Sequence, residues 1–332
     1  MYRIAIALVL AALAAGSASA RQSPPALELQ TPAVTLQDGD RILFIGDSFF
    51  EREYRFGLIE TALTVSHPDK ALTFRNLGWT GDNVWGEARA YFGKPRDGYD
   101  DLLKFVDLTK PSVILVGYGA NESFSGEGAL EGFLEQYRTL LADLGTRTKR
   151  IVLLTPLPAD AATSPLPAPQ IYERNRVLAR YREGISSLAR TLDLPVIDLY
   201  KTMLSAKERR GSESLFERGI HLTEAGYAAA AEEIARRMTE APAAEGFAAA
   251  WRRAGAHGQA PAPEAWQAIR RLVVEKNDLF FHRWRPANVT YLFLFRQREQ
   301  GKNVVEIPRF DPLVEAKEQE ISELRKGLER QR

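Results

Sequence analysis

The sequence predicts an α/β protein with three layers, in which a five-stranded, mainly parallel sheet lies between helices and a mostly helical extension follows at the C-terminus. Short apolar runs such as residues 42–45 are typical of strands that are buried on both faces of a sheet. Segments with helical spacing alternate with these runs, so right-handed crossovers and parallel strands are expected. The 332 residues are enough for one such core and an appendage.

The predicted strands are short runs of mostly apolar residues, and most of them end at a glycine, an asparagine or a proline, where a loop begins. A further apolar stretch at residues 34–36 precedes a turn at 37–40 and predicts an additional edge strand. The five strands of the sheet are expected at residues 42–45, 72–76, 112–116, 151–155 and 195–199.

The helices are predicted from apolar positions that recur every three or four residues. Thr223 is expected to cap the last helix of the main body. Near the C-terminus, residues 288–295 predict a strand or a buried segment. The final helix carries an apolar stripe that packs on the body or, alternatively, pairs in a coiled coil, for which only about two heptads are present. The helices are expected at residues 49–64, 128–144, 171–192, 223–238, 265–277 and 314–328.

The chain divides into a leader, an arm, a main domain, a linker and an extension. The leader has the features of a secretory signal peptide, with Arg3 near the start, an apolar core and small residues up to Ala20. Export to the periplasm or beyond is therefore predicted, with no membrane span after cleavage; an uncleaved anchor is the alternative. The boundaries are a signal peptide at 1–20, a flexible arm at 21–33, a main domain at 34–240, a linker at 241–263 and an extension packing on the main domain at 264–332.

Composition excludes several classes of partner and chemistry. Hydrophobic residues make up 45% of the chain and charged residues 26%, as in an ordinary globular protein. The formal net charge is only +1, so neither nucleic acid nor an acidic macromolecule is an expected partner. Because the chain has no cysteine, lipoprotein anchoring, disulfides, thiol catalysis and thiolate metal sites are excluded. Composition leaves the oligomeric state open.

The turn after the first strand places a serine where α/β proteins bind ligands. Gly46 allows a backbone conformation closed to other residues, and Asp47 can cap the helix that follows. Ser48 then lies between the carboxyl end of a strand and the amino end of a helix, where the helix dipole favours a developing negative charge. The alternative is that Asp47 and Ser48 simply cap the first helix.

One histidine is expected on a loop at the end of the sheet. Hydrolysis by a serine needs a hydroxyl, a base, a group that orients the base and donors for the oxyanion near one point. His221 comes just before a predicted helix, whereas His67, His257 and His282 lie in other connections or in the C-terminal part. Ser48 and His221 are therefore the candidates for the hydroxyl and the base.

Four sequence blocks occur in the order 46–48 (GDS), 76–82 (NLGWTGD), 119–122 (GANE) and 219–222 (GIHL). They resemble those of the SGNH or GDSL-type hydrolase superfamily, in an exported bacterial branch with a C-terminal extension. The resemblance implies a flavodoxin-like SGNH hydrolase fold, with Ser48 as the nucleophile and His221 as the base. It also implies an oxyanion hole made of the amides of Ser48 and Gly81 and the side chain of Asn121. The resemblance covers residues 41–238.

The block around the histidine departs from the family's pattern. The family usually has an aspartate three residues before the histidine, and this chain has Arg218, which cannot accept a hydrogen bond from an imidazole. Our hypothesis is that Glu217, one residue further back, is the acid of the triad. The alternative is that Glu217 and Arg218 form a solvated pair and that a main-chain carbonyl braces His221.

The resemblance implies an exported serine esterase that acts by acyl transfer and needs no metal or organic cofactor. A small acyl ester, in the first place an acetyl ester, on a carbohydrate is the expected substrate, by family analogy and from the predicted export. Trp79, Tyr118 and Glu122, which lie on or beside the catalytic loops, are predicted to bind it. The alternatives are a lipase or thioesterase-like hydrolase, a catalytically weak carbohydrate-binding relic, and a scaffold protein whose last helix binds a partner.

Overall fold

A parallel five-stranded sheet with the strand order β2-β1-β3-β4-β5 forms the centre of the protein, whose computed structural model describes residues 34–210, 213–239, 246–251 and 262–330. This arrangement confirms the predicted three-layer α/β class. The predicted signal peptide and arm lie outside the described residues, as does most of the predicted linker. The strands are β1 (Arg41–Gly46), β2 (Thr73–Asn76), β3 (Val113–Gly117), β4 (Ile151–Leu154) and β5 (Val196–Ile197).

Helices cover both faces of the sheet, and a small antiparallel hairpin precedes the seventh helix. The hairpin consists of β6 (Phe216–Glu217) and β7 (His221–Leu222). The α-helices are α1 (Ser48–Phe56), α2 (Leu58–Ser66), α3 (Pro95–Thr109), α4 (Leu130–Leu144), α5 (Ala168–Thr191), α6 (Leu199–Arg210), α7 (Glu224–Arg237), α8 (Phe247–Ala250), α9 (Glu264–Trp284), α10 (Val289–Leu292), α11 (Gln297–Gln300) and α12 (Phe310–Glu329). Single turns of 3₁₀-helix lie at Glu87–Arg89, Glu122–Ser125 and Glu127–Ala129, and a longer one lies at Gly301–Arg309.

The strand residues alternate between two hydrophobic cores. Ile42 and Phe44 of β1 belong to the core beneath α1, α2, α6 and α7, whereas Leu43 and Ile45 belong to the core beneath α3, α4 and α5. The chain leaves β1 towards β2 on one side and then crosses to β3 on the other side. The carboxyl ends of β1 and β3 therefore form a topological switch point, where a crevice for a ligand is expected in such sheets.

The C-terminal extension covers the edge of the sheet at β2. The Lys276 ammonium of α9 lies 2.6 and 2.7 Å from the two carboxylate oxygens of Glu60 in α2, and it also donates to the carbonyl of Phe74 in β2 at 3.3 Å. The stripe of α12 faces the protein's own cores, where Val314 and Ile321 are buried. No helix within the described ranges is long and apolar enough to cross a membrane.

Three local predictions need correction. Residues 34–36 form no strand, although Leu36 is buried. The predicted helix 49–64 is two helices, because Gly57 adopts a left-handed conformation with φ of +64° and a Cβ there would lie 2.9 Å from Val273 of α9. The predicted strand at 288–295 is wrong, since α10 occupies its centre and buries only Leu292. Helices α3 and α6 were not predicted.

Candidate active site

The turn after β1 depends on a close approach of two backbones. A Cβ at Gly46 would lie 2.3 Å from the carbonyl oxygen of Gly117, its partner in the sheet register, so no larger residue fits. Asp47 caps α1, because its Oδ1 accepts a hydrogen bond from the amide of Phe49 at 3.0 Å. Burial raises the pKa of Asp47 to about 7. Ser48, the first residue of α1, is thereby held at the positive end of that helix.

A cavity of about 80 Å³ opens beside this turn. Ser48, Asn121 and His221, which come from three different loops, all line it. The structure therefore brings together the predicted nucleophile, the predicted base and one predicted oxyanion donor. Much of the remaining wall is apolar and includes Leu154, Pro156, Leu157, Leu178, Leu199 and Leu222.

The hairpin of β6 and β7 places a glutamate beside the histidine. Glu217 lies directly opposite His221 in the antiparallel register, so their side chains share one face. The turn between them has positive φ at Arg218 (51°) and Gly219 (79°). The proline-rich loop is residues 155–167, between β4 and α5. The amide of its Asp160 donates to the Gly219 carbonyl at 2.7 Å and supports this turn. The register therefore brings Glu217 to the imidazole's side of the hairpin.

An arginine from α1 binds the same glutamate. Arg52, one helical turn after Ser48, lines the cavity and forms an ion pair with Glu217. No side-chain hydrogen bond joins the Glu217 carboxylate to the His221 imidazole in the part of the chain that the structure describes. Burial lowers the pKa of His221; Arg52 and Arg218 lower it further, and Glu217 acts in the opposite direction. The imidazole is therefore mainly neutral near pH 7, as a general base must be.

The side chain of Asn121 is oriented by the loop after β2. Its Nδ2 donates to the carbonyl of Asp82 at 2.6 Å. Because a primary amide carries two N–H groups, the second one is left for a ligand. Gly81, the neighbour of Asp82, has a φ of +77° and does not line the cavity. The structure therefore brings the predicted donor Gly81 near Asn121 without placing it in the wall.

The loop after β2, residues 77–82, is attached to the backbone of α1. The Nδ2 of Asn76 donates to the carbonyl of Phe50 at 2.6 Å. A Cβ at Gly78 would lie 2.3 Å from the amide nitrogen of Glu51, so the loop and the helix touch along their main chains. The amide of Thr80 donates to the carboxylate of Glu51. The position of this loop therefore depends on α1, the helix that begins with Ser48.

The C-terminal extension reaches the same loop through Arg285. The Nη1 of Arg285 donates to the Glu51 carboxylate at 2.8 Å, and its guanidinium lies 3.7 Å from the ring centroid of Trp79. Trp284 contacts the same ring edge-on, with the centroids 5.6 Å apart. Arg285 thus connects the extension to both α1 and the loop that follows β2.

Of the three residues predicted to bind substrate, the structure brings only Tyr118 to the cavity. Tyr118 lines the wall, and its hydroxyl donates to the carboxylate of Asp82 at 2.9 Å. Trp79 is only 7% exposed and packs against the extension. Glu122 is buried and accepts hydrogen bonds from two backbone amides at 2.9 and 2.8 Å, and burial raises its pKa to about 8. Trp79 and Glu122 therefore support the loops and do not line the cavity.

Two charged residues of the wall, Arg52 and Arg174, were not predicted from the sequence. Arg52 follows Ser48 by four residues, so helical spacing could have placed it on the same side of α1. Arg174 lies on α5 after the proline-rich loop, and no local pattern indicates its position. The described residues contain no group of three or more histidine, aspartate or glutamate side chains that could hold a metal ion.

The fold, the order of the blocks and the shared cavity define the class of this protein. The chain matches the model of the GDSL-like lipase/acylhydrolase family over residues 44–229, which is more than half of its length. It therefore belongs to this family.

The individual proteins that the chain resembles share less than a third of their aligned residues with it. The GDSL esterase/lipase WDL1 of Oryza sativa subsp. japonica is 29% identical over 146 residues, which cover 40% of this chain and 55% of that protein, so the chain spans about half the length of this curated relative. The acetylxylan esterase Axe2 of Geobacillus stearothermophilus has a TM-score of 0.48 at 17% identity, covering 61% of this chain and 96% of that one. A lipase/acylhydrolase from Enterococcus faecalis has a TM-score of 0.45 at 21% identity, covering 59% and 94%.

Proposed function

We propose that this protein is an exported serine esterase that removes a small acyl group, such as acetyl, from a carbohydrate. The observation that carries the proposal is the convergence of Ser48, Asn121 and His221 on one cavity, within a chain of the GDSL-like family. The export part of the proposal rests on the leader sequence at residues 1–20.

In the proposed mechanism, His221 accepts the proton of the Ser48 hydroxyl while the oxygen attacks the carbonyl carbon of the ester. The amide of Ser48 and the side chain of Asn121 donate to the oxyanion that forms. The family resemblance implies the amide of Gly81, on the loop that orients Asn121, as the third donor. Collapse of this intermediate expels the alcohol, which takes the proton from the imidazole. Water, activated by His221, then releases the acid from the acyl-enzyme. To act as the acid of the triad, Glu217 turns its carboxylate from Arg52 towards the imidazole that it faces across the hairpin, orients the ring and stabilises its protonated form.

The size and the lining of the cavity favour a short acyl chain as the group that the enzyme removes. Its volume of about 80 Å³ and its leucine side chains suit an acetyl group better than a long fatty acyl chain. Phe124, which is 66% exposed, lies on the wall and offers a face on which a sugar ring can stack. These two features support a small ester on a sugar.

The test is the hydrolysis of acetyl and long-chain esters by the purified protein and by Ser48→Ala. We expect acetyl esters to be the better substrates and Ser48→Ala to lower kcat by at least about a thousand-fold. Ser187→Ala, which changes an exposed serine of α5, is the matched control and should retain activity. Undiminished turnover by Ser48→Ala would exclude the mechanism, and a preference for long chains would exclude the proposed acyl group.

A catalytically weak carbohydrate-binding protein is the second candidate, because the carboxylate of Glu217 is bound by Arg52 and not by His221. This function predicts sugar binding without turnover above the uncatalysed rate.

A further inference from the structure

The charges on the cavity wall are not balanced. Four wall residues can carry a charge, namely Asp47, Arg52, Arg174 and His221. Arg52 is paired with Glu217, burial favours the neutral form of Asp47, and the imidazole is mainly neutral near pH 7. Arg174 is the exception, since no carboxylate among the described residues forms an ion pair with it.

Arg174 is held firmly between two parts of the site. Its Nη2 donates to the carbonyl of Ala120 at 2.7 Å, and its guanidinium lies 3.6 Å from the ring centroid of Phe124. The next residue, Asn175, fixes this turn of α5 to the proline-rich loop, since its side chain exchanges hydrogen bonds with the backbone of Ala159 at 2.7 and 2.8 Å. These contacts therefore hold the guanidinium in one position at the cavity wall.

Holding a cation at this wall is unfavourable unless something compensates it. The Nε of Arg174 is buried without a hydrogen-bond partner, and burial lowers the pKa of the side chain to about 10, so the group is still charged at neutral pH. The carboxylates of Glu173 and Glu127 are both bound by Arg176. A guanidinium presents a planar fork of N–H donors that matches a carboxylate or a similar oxyanion.

We propose that Arg174, stacked on Phe124, forms a subsite for an anionic group, a carboxylate or a sulfate, on the alcohol part of the substrate. The exposure of Phe124 places this pair at the open side of the cavity, whereas the leucine-lined wall receives the acyl group. The inference rests on the proposed esterase function and assigns its substrate class, which is acyl esters of acidic sugars.

The experiment compares kcat/KM for three acetyl esters. They are acetylated methyl glucuronoside, which carries a carboxylate, acetylated methyl glucoside, which is neutral, and acetylated methyl glucoside 6-sulfate. The measured ratio is kcat/KM for an anionic ester divided by kcat/KM for the neutral ester. We expect this ratio to be about 10 to 100 in the wild type for at least one anionic ester, as for a charge-assisted hydrogen-bonded pair. In Arg174→Met it should be close to one. Preference for the glucuronoside alone identifies a carboxylate subsite, and preference for the sulfated sugar alone identifies a sulfate subsite. A wild-type ratio near one, or an unchanged ratio in Arg174→Met, would overturn the proposal.

Two further variants separate recognition from folding. Arg180→Met changes an arginine on the same helix that is paired with Glu183 and lies outside the wall, so its ratio should match the wild type. Arg174→Lys keeps the positive charge but loses the fork, so we expect it to recover part of the preference even where Arg174→Met is poorly folded. A ratio near one in a folded Arg174→Lys protein would contradict an electrostatic subsite.

A binding measurement separates failure of this inference from failure of the proposed function. Calorimetry on Ser48→Ala should detect methyl glucuronoside or the sulfated glucoside at least tenfold more tightly than methyl glucoside. Binding with this selectivity but no turnover of any ester would support the subsite and reject the esterase. Turnover of neutral and anionic esters at equal rates, without selective binding, would do the reverse.

Discussion

At the scale of single residues, the surroundings of His221 decide whether the site works as a triad. The hairpin register puts Glu217 opposite the imidazole, but the carboxylate of Glu217 forms an ion pair with Arg52. The Glu217 carboxylate is therefore bound by Arg52 and, within the described residues, forms no side-chain hydrogen bond with the imidazole that it faces. A chain with Arg218 where the family usually has an aspartate therefore still has a carboxylate opposite His221.

Glu217→Gln tests the role of that carboxylate. Because an uncharged amide neither fixes the tautomer nor stabilises the imidazolium, we expect kcat to fall by about a thousand- to ten-thousand-fold, as when the acid of a serine protease triad is removed. Steady-state kinetics on an acetyl ester measure the effect. Activity within a few-fold of the wild type would rule Glu217 out as the acid and favour a dyad.

Arg52→Met should change the pH dependence of the reaction. Arg52 lowers the pKa of His221, so its removal raises that pKa and moves the acidic limb of the kcat/KM profile to higher pH. In the Glu217→Gln protein the limb should move in the opposite direction, because Glu217 raises the pKa of His221. Limbs that do not move in either variant would show that another group titrates.

At the scale of the elements, the C-terminal extension supports the site from outside the sheet. Glu51 of α1 binds both the amide of Thr80 and the guanidinium of Arg285, which also covers the ring of Trp79. The loop that carries Gly81 is therefore clamped between α1, which begins with Ser48, and the extension.

Arg285→Ala should disturb this clamp. We expect kcat to fall by about tenfold with little change in KM, a fraction of the 100- to 1,000-fold cost of losing an oxyanion donor outright. Arg285→Lys should recover part of the loss because it keeps a cation beside Glu51. Arg283→Ala, whose arginine is paired with Asp311, is the matched control. An unaffected kcat in Arg285→Ala would mean that the loop keeps its position without the extension.

The features that could be predicted from the sequence depend on local patterns, and those that could not depend on contacts between segments far apart along the chain. The strands and the blocks around Ser48, Asn121 and His221 were predictable because each is a local pattern, and parallel strands bring their carboxyl ends to one edge. The break at Gly57 and the clamp by Arg285 depend on contacts with segments more than 200 residues away in sequence. The position of Arg174 was also not predictable, because only the folded chain brings this residue of α5 to Ala120 and the cavity wall.

At the scale of the whole molecule, a buried ion pair joins the extension to α2, beside the edge strand of the sheet. Both Lys276 and Glu60 are almost completely buried, and the ammonium also satisfies a carbonyl of the edge strand β2. Burial raises the pKa of Glu60, and Lys276 acts against this shift. The extension therefore protects a strand edge that would otherwise be open.

Lys276→Met should destabilise the protein, because it leaves the Glu60 carboxyl buried without its partner. We expect the free energy of unfolding to fall by about 3–5 kcal/mol. With the pKa of Glu60 raised further, the loss should be smaller below pH 5 and should grow as the pH rises through that pKa. Urea unfolding at several pH values measures this.

Two comparisons make the stability test specific. The double variant Glu60→Met/Lys276→Met should recover most of the loss, because it removes both buried charges. Lys326→Met, at an exposed pair on α12, should have little effect. A stable Lys276→Met protein would contradict the role given to this pair.

The most direct measurement is the site of covalent attachment of a fluorophosphonate, mapped by mass spectrometry of the digested protein. The account predicts one adduct, on Ser48, with ester hydrolysis lost in proportion to labelling and with no adduct in Ser48→Ala or His221→Ala. An adduct on another residue, or full labelling of Ser48 in a protein that still hydrolyses its ester, would contradict it.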